Sequence, residues 1–574
     1  MDFVFIGGNK NAKMSVENKR EENGIFYADI KMTFEEATIP EQVKLRFYYP
    51  ASGCYSVWSP NERYDRALRP NWRKSTTVSR LASNMPLHGL VSSDGKNKLS
   101  IALSDAKTPM EIATGVNEET ACVECDITFF TFKIAPIKEY NTVLRLDMRD
   151  IPYYDSIYAV ARWWENDCGY TPAYVPEHAR LPMNSLWYSY HQKLDVEDII
   201  KECELSKPLG METVIVDDGW QTDDNGRGYA CCGDWELATS KIPDMKQFVD
   251  RIHAVGMKMM LWYSVPFVGI YAKNYERFKD MILDETGNKK TYWALDPRYK
   301  EVREFLIGTY ERAVREWGLD GLKLDFIDSF KLYGRSLEYD ERRDHQSLED
   351  AIDALMTEVK DRLTAIDPEI LIEFRQSYVG PAIRKYGNML RVSDCPADAI
   401  RNRSDVVNLR FTSGNTAVHS DMLMWHYDDS VESAALQLVS VLFSVPQISM
   451  KIARLNQEHK KMLKFYLAFW REHRELLLDG KLIAYCPEGT YSLVCSEKDG
   501  DAIFVAYSES VVDCSEYDRV YAVNSSRSKS LILKGADKKG YKVFNCVGDV
   551  IADGIVNGEL FEISVPMSGI IELR

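Results

Sequence analysis

Nowhere in this chain do about eighteen apolar residues run together, and the N-terminus, MDFVFIGGNKNAKMSVENK, has no basic segment followed by a long apolar one. A membrane-spanning helix and a secretion signal are therefore not expected, and the chain reads as cytoplasmic. Positive charge is in deficit: 71 Lys and Arg face 87 Asp and Glu, for a net charge of −16. Nucleic acid and anionic membranes would be repelled, so neither is an expected partner. The twelve cysteines form no repeated CxxC pairs, which argues against a disulfide framework or zinc site and for reduced thiols in the core. No GxGxxG follows any strand-like run, so a dinucleotide site has no support. A neutral or small substrate fits these absences best.

What the chain does have is length and a change of texture. Its 574 residues exceed what one hydrophobic core serves, so two or three domains are expected. Runs such as KLRFYYPAS, KLSIALSD and NTVLRLDMRD alternate apolar and polar residues between turns, predicting a β-sandwich over 1–172. The same texture returns in TYSLVC, DAIFVAY and GELFEISVPMSGIIEL, predicting an antiparallel β-sandwich over 479–574. Between them, after the Pro-rich YTPAYVPEHARLP, apolar runs alternate with amphipathic segments. Strands are expected at 184–189, 213–218, 258–263, 321–327, 370–375, 389–394, 415–421 and 445–450. Eight βα units predict a (β/α)8 TIM barrel over 180–478, with a doubly wound open sheet as runner-up.

In such a barrel, polar residues closing successive strands converge on one pocket. In GLKLDFIDSF, residues 321–330, Lys323 and Asp325 share one face and Leu322, Leu324 and Phe326 the other. Buried charge is costly unless paired, so Lys323 and Asp325 are expected close together at a strand end. Asp328 lies beyond the strand and reads as a loop residue. Other strand ends offer Tyr188 and His191, Asp217, Asp218 and Trp220, Trp262 and Tyr263, Glu373 and Arg375, and Arg391 and Asp394. Carboxylates beside Trp and Tyr suit a sugar, and glycosidic cleavage needs one ionised and one protonated carboxyl group. Lys323 favours ionised Asp325 as nucleophile. Asp394 is the acid candidate, although Arg391 pulls it the other way and strand parity leaves its inward aim open. Each group has a plainer reading: turn or helix cap for the aspartates, core for Trp220, Trp235 and Trp262, an ion pair for Glu373 with Arg375. Their joint occurrence on consecutive strands favours function. A carbohydrate-binding protein and a metal-assisted barrel using Lys323 as base are the contrasting classes.

The ordered set VDDGWQ (216–221), CGDW (232–235), GMKMMLWY (256–263), LDPRYKEVREFL (295–306), GLDGLKLDF (318–326) and RVSDCPAD (391–398) resembles glycoside hydrolase family thirty-six, the melibiase-type α-galactosidases of clan D. The likeness covers about 180–480. It implies a retaining exo-α-glycosidase in which Asp325 attacks the anomeric carbon and Asp394 is acid and base, the two roughly 5 to 5.5 Å apart. Asp217 and Asp218 would hold the axial O4 and O6 of galactose, Lys323 a hydroxyl near the nucleophile, and Trp262 a pocket wall. Trp220, Trp235, Arg375 and Arg391 complete the candidate substrate-binding set. No metal or organic cofactor is implied, and the expected partner is an oligosaccharide or glycoconjugate substrate. Two departures stand out. IEFRQSYVG has Arg375 and Gln376 where the family carries a cysteine and glycines, and LWYSVPFVG lacks the family's glutamate, with Ser264 and Val265 there. An anionic sugar or an N-acetylgalactosaminide are alternatives these departures admit, and transglycosylation on the same scaffold is a further one. Loops 222–235 and 332–346 are expected to set aglycone preference, the latter as a lid or interface. Trp425 and His426 are weaker candidates for the pocket. The state of assembly stays open.

Overall fold

The structure is a computed structural model describing residues 1–283, 290–332 and 338–574. The first part of the chain folds into a five-stranded and a six-stranded sheet, antiparallel throughout their ladders. Alternating residues such as Ile30, Leu45, Phe47, Ile101, Ile112 and Leu144 are buried between them. This is how a period-two pattern removes one face of each strand from water.

The middle holds eight parallel strands: β1 (Met183–Ser185), β2 (Thr213–Val216), β3 (Lys258–Ser264), β4 (Gly321–Asp325), β5 (Leu371–Arg375), β6 (Met389–Arg391), β7 (Ala417–His419) and β8 (Gln447–Ile448). They pair in the order β7-β6-β5-β4-β3-β2-β1-β8. Parallel bridges His419 to Val445 and Leu423 to Ile448 bring β7 and β8 together, closing the sheet into a barrel. All eight strands lie where the sequence predicts them, but most are shorter. Residues Trp187–Tyr190 form a helical turn rather than the end of β1, and β6 stops at Arg391, before Asp394.

Helices Val196–Ser206 (α1), Met245–Val255 (α2), Lys300–Trp317 (α3), Leu348–Ile366 (α4), Ala399–Thr412 (α5), Val431–Ser440 (α6) and Gln457–Glu472 (α7) cover the barrel. Asp195, Asp244, Ser347 and Asp398 cap α1, α2, α4 and α5 by accepting backbone N–H bonds. The βα alternation has one gap: after β5 the chain makes a 3-10 turn, Ile383–Lys385, and no α-helix before β6.

Inside the barrel, Met183, Ile215, Met260, Leu371, Met389 and Ala417 form an apolar floor. At Gly321 a Cβ would lie 2.6 Å from the Leu371 Cβ, so β4 crosses that floor without a side chain. Two residues further along the same strands, the inward positions are Asp217, Trp262, Lys323, Glu373, Arg391 and His419. Strand alternation thus places a polar layer directly on the apolar one.

The C-terminal strands, Lys481–Tyr485 to Ile570–Leu573, form seven- and three-stranded sheets. The expectation of a purely antiparallel sandwich is corrected here. Asp501–Ala506 pairs in parallel with Arg519–Asn524, and Val511–Asp513 with Ser530–Lys534. The segment 507–518 between the first pair carries the chain back far enough for that crossover. Among the described residues no helix is long and apolar enough to cross a membrane.

Candidate active site

Asp325 ends β4 and is 7% exposed. Its Oδ1 accepts from Arg375 Nε at 2.7 Å, Tyr378 OH at 2.7 Å and the Phe326 backbone N–H at 2.8 Å. Among the described residues its Oδ2 accepts only from Trp262 Nε1, at 3.0 Å. Burial alone would raise its pKa, but the charges of Arg375 and Lys323 and the bonds from Trp262 and Tyr378 hold it well below the ordinary aspartate range. Phe326, next in the chain, takes a left-handed φ of 65°, which turns the chain away and aims its N–H back at the carboxylate.

The expected Lys323–Asp325 pair is corrected. Lys323 Nζ donates to Asp217 Oδ2 at 2.5 Å, and the cation bonded to Asp325 is Arg375. Lys323 still acts on Asp325 through space. Register explains this: β4 pairs Lys323 with Trp262 on one side and Glu373 on the other. From that level its long side chain meets Asp217 at the end of β2. Glu373 does not pair with Arg375 either. It accepts from Gln447 Nε2 at 2.5 Å and stands 3.6 Å from Arg391 Nε. Burial raises its pKa against the pull of Arg391 and Lys323.

Asp218 is 2% exposed and accepts from Gln192 and Gln221, each at 2.6 Å. Burial, assisted by neighbouring Asp217, pushes it up to about 6 against those amide donors. Gly219 permits this arrangement. Its φ is 116°, and a Cβ there would come 2.6 Å from the Gln192 Cα, so the Asp-Asp-Gly turn can lie flat on the segment that holds Asp218.

Asp394 sits on the loop after β6 with its side chain 53% exposed. Arg391 Nη2 donates to it at 2.9 Å. Burial would raise its pKa, but Arg391, Lys323 and Arg375 outweigh that and lower it, while Asp325 opposes them. The two aspartates therefore feel each other's charge across the mouth of the barrel. Arg391 is itself buried, held by Asp421 at 2.5 Å, and Asp421 accepts from Tyr188 OH at 2.9 Å and from the Cys395 N–H at 2.6 Å. With Nη1 on Asp421 and Nη2 on Asp394, Arg391 holds the loop carboxylate, and at 1% exposure it is too buried for the sugar contact the sequence suggested.

Trp220 and Trp235 also need correction as sugar platforms. Trp220 is 0% and Trp235 1% exposed. They stack on each other at 6.0 Å, and Trp220 Nε1 donates to the Trp262 carbonyl at 2.9 Å. They form the wall behind Trp262. The ring beside Trp262 on the loop 222–235 is Tyr229, stacked at 6.3 Å and 24°. Trp425 is core, packed on His459, and His426 is exposed in a turn. Asp328 lies outside the cluster: its carboxylate accepts from Ser377 Oγ and its carbonyl from Arg80. Residues 333–337 of the loop considered as a lid lie outside the described residues.

Sequence reasoning missed Tyr378 and Asp421, although Asp421 closes the NTAVHSD run and the strand-end rule reaches it. It also missed how the first sheets brace the site. Asn84 N donates to the Ser377 carbonyl at 2.5 Å, and Arg63 Nη2 to Ser393 Oγ at 2.6 Å. Among the described residues, no group of three or more His, Cys, Asp or Glu side chains is arranged to hold a metal ion.

Residues 178–480 match the model of the Melibiase family. The chain belongs to the melibiase family. Among curated melibiase relatives, alpha-galactosidase AgaA of Geobacillus stearothermophilus is 23% identical over 373 residues, covering 61% of this chain and 48% of that protein. The A type blood alpha-D-galactosamine galactosaminidase of Flavonifractor plautii is 23% identical over 308 residues, covering 47% of this chain and 27% of the relative. The match thus spans less than half the length of these relatives. Among solved structures, GH36 alpha-galactosidase AgaA of G. stearothermophilus in complex with 1-deoxygalactonojirimycin superimposes with a TM-score of 0.67 at 14% identity, covering 98% of this chain and 81% of that one. Alpha-galactosidase TtGalA of Thermus thermophilus in complex with stachyose gives a TM-score of 0.55 at 16% identity, covering 81% and 99%. These likenesses establish a TIM barrel with β-sandwich domains as the melibiase fold of this chain.

Proposed function

We propose that this melibiase is a retaining exo-α-glycosidase, an α-galactosidase that hydrolyses terminal α-galactosides of small oligosaccharides by double displacement. The observation that carries the reading is the pairing of an ionised, immobilised Asp325 with a half-exposed Asp394 across the barrel mouth. Asp325 attacks the anomeric carbon through its carboxylate. Asp394 protonates the departing oxygen, then takes a proton from the water that releases the sugar. In the free site Arg391 keeps Asp394 ionised. A sugar seated over it excludes water, and lost hydration favours the neutral acid. The arginine then serves the second step, in which Asp394 works as a base.

Asp217, Asp218, Lys323 and Trp262 are proposed to receive the galactose ring. Lys323 and Asp217 are already paired, so a sugar hydroxyl can accept from the ammonium and donate to the carboxylate without either charge losing its partner. AgaA and TtGalA in complex with an iminosugar, raffinose or stachyose support small α-galactosides as the substrate class. A second reading, an α-galactosaminide, is favoured by the Flavonifractor relative. Proposed localisation is cytoplasmic.

The test is a panel of p-nitrophenyl α- and β-glycosides with wild type and Asp325→Ala, with and without chelator. Release from the α-galactoside, lost in Asp325→Ala and insensitive to chelator, supports the proposal. Turnover of β-glycosides alone, or activity that survives Asp325→Ala, removes it. Preference for the α-galactosaminide selects the second reading.

A further inference from the structure

The four donors on the Asp325 carboxylate are distributed unevenly in a way the double displacement does not require. Oδ1 is saturated by Arg375 Nε, Tyr378 OH and the Phe326 N–H, whereas Oδ2 has one partner among the described residues, Trp262 Nε1. The oxygen with the spare lone pair is the one able to bond the anomeric carbon. Arg375 is itself held in place. Its Nη1 donates to the Gln376 carbonyl at 2.8 Å, and its guanidinium carbon lies 5.2 Å from the Phe326 ring centre and 5.5 Å from that of Tyr378. Both Arg375 and Tyr378 come from the segment IEFRQSYVG.

We infer that Arg375 and Tyr378 are positioning residues that make Asp325 a better leaving group, speeding breakdown of the glycosyl-enzyme more than its formation. The inference rests on the proposed double displacement. In the first step Oδ2 gives an electron pair to the anomeric carbon and the aglycone leaves with its bonding pair and a proton from Asp394. The carboxylate loses its charge, and donors on Oδ1 that favour the charged form oppose this step. In the second step water bonds the anomeric carbon, its proton passes to Asp394, and the pair of the Oδ2–carbon bond returns to Asp325. Negative charge grows on the carboxylate, and the same donors now strengthen. Lys323 on β4, Tyr229 on the loop after β2 and Asp394 also face Asp325, but none of them bonds its carboxylate.

The experiment compares wild type, Arg375→Met and Tyr378→Phe with 2-chloro-4-nitrophenyl α-galactoside, whose phenol leaves without acid help. Both variants should lower kcat by about 10- to 100-fold, the worth of one charge-assisted hydrogen bond. KM should fall with kcat, leaving kcat/KM within about threefold, because the intermediate accumulates. Rapid mixing should show a burst of phenol near one equivalent per site. A fall in kcat/KM as large as that in kcat, with no burst, overturns the inference while leaving the double displacement intact. If Arg375→Met does not fold, Tyr378→Phe, which removes one hydroxyl, carries the same test. Wild type that releases no phenol from any α-galactoside overturns the proposed function and this inference together.

Discussion

The ends of β4 and β6 present their carboxylates in opposite ways. Asp325 is the last residue of its strand, buried, and held by four donors from three segments. Asp394 lies three residues past its strand, half-exposed, with one arginine. A group that must stay ionised and in line with one carbon gains from a rigid strand end and several donors. A group that must exchange a proton twice per turnover needs solvent access and few fixed bonds. The same acid side chain is therefore suited to the two proposed roles by where each strand stops.

The largest effect that would sharpen this contrast is Asp325→Ala, which should lower kcat/KM on an aryl α-galactoside by on the order of 10⁴-fold or more. Added azide should rescue it and yield the β-galactosyl azide; no azide product would break the assignment of the strand-end group. Asp394→Ala should cost about 10²- to 10⁴-fold with raffinose-like leaving groups and much less with an acidic phenol. Equal losses on both substrates would erase the distinction between the two carboxylates. Arg391→Met removes the cation from between Asp421 and Glu373, both 0% exposed, and should cost about 3–5 kcal/mol in denaturant unfolding. Arg375→Met should cost less, because Asp325 keeps three other donors. The smallest effect concerns pH. Asp218, raised to about 6, contributes stability in its neutral form that is full below the ordinary aspartate range and fades as pH rises through about 6. Sugar affinity should run the other way, since the ionised carboxylate is the stronger acceptor. KM should rise as pH falls below about 6, and Asp218→Asn should flatten that limb.

Most of the barrel was legible because its signal is local. Each of the eight apolar runs is a strand, and their order carries the parallel sheet. Parity within GLKLDFI is enough to place Lys323 and Asp325 on one face. What parity does not carry is reach: Lys323 passes Asp325 and pairs with Asp217, a hundred residues earlier, because neighbouring strands bring them level. Trp220 and Trp235 read as sugar platforms since an aromatic near a strand end or on the loop beyond it looks the same whether it faces the pocket or the wall behind it. Asp394 could not be aimed from the pattern, because its strand ended sooner than the apolar run suggested.

Sequence by itself determined the strand order and the convergence of carboxylates, Asp325 among them, at one end of a barrel, because alternation and spacing are properties of a single chain. Only the tertiary structure decided that Arg375 and Tyr378 hold Asp325, that Arg391 serves Asp394, and that loops from the first sheets brace both. Those are contacts between segments far apart in the chain, and their geometry exists only once the barrel has closed.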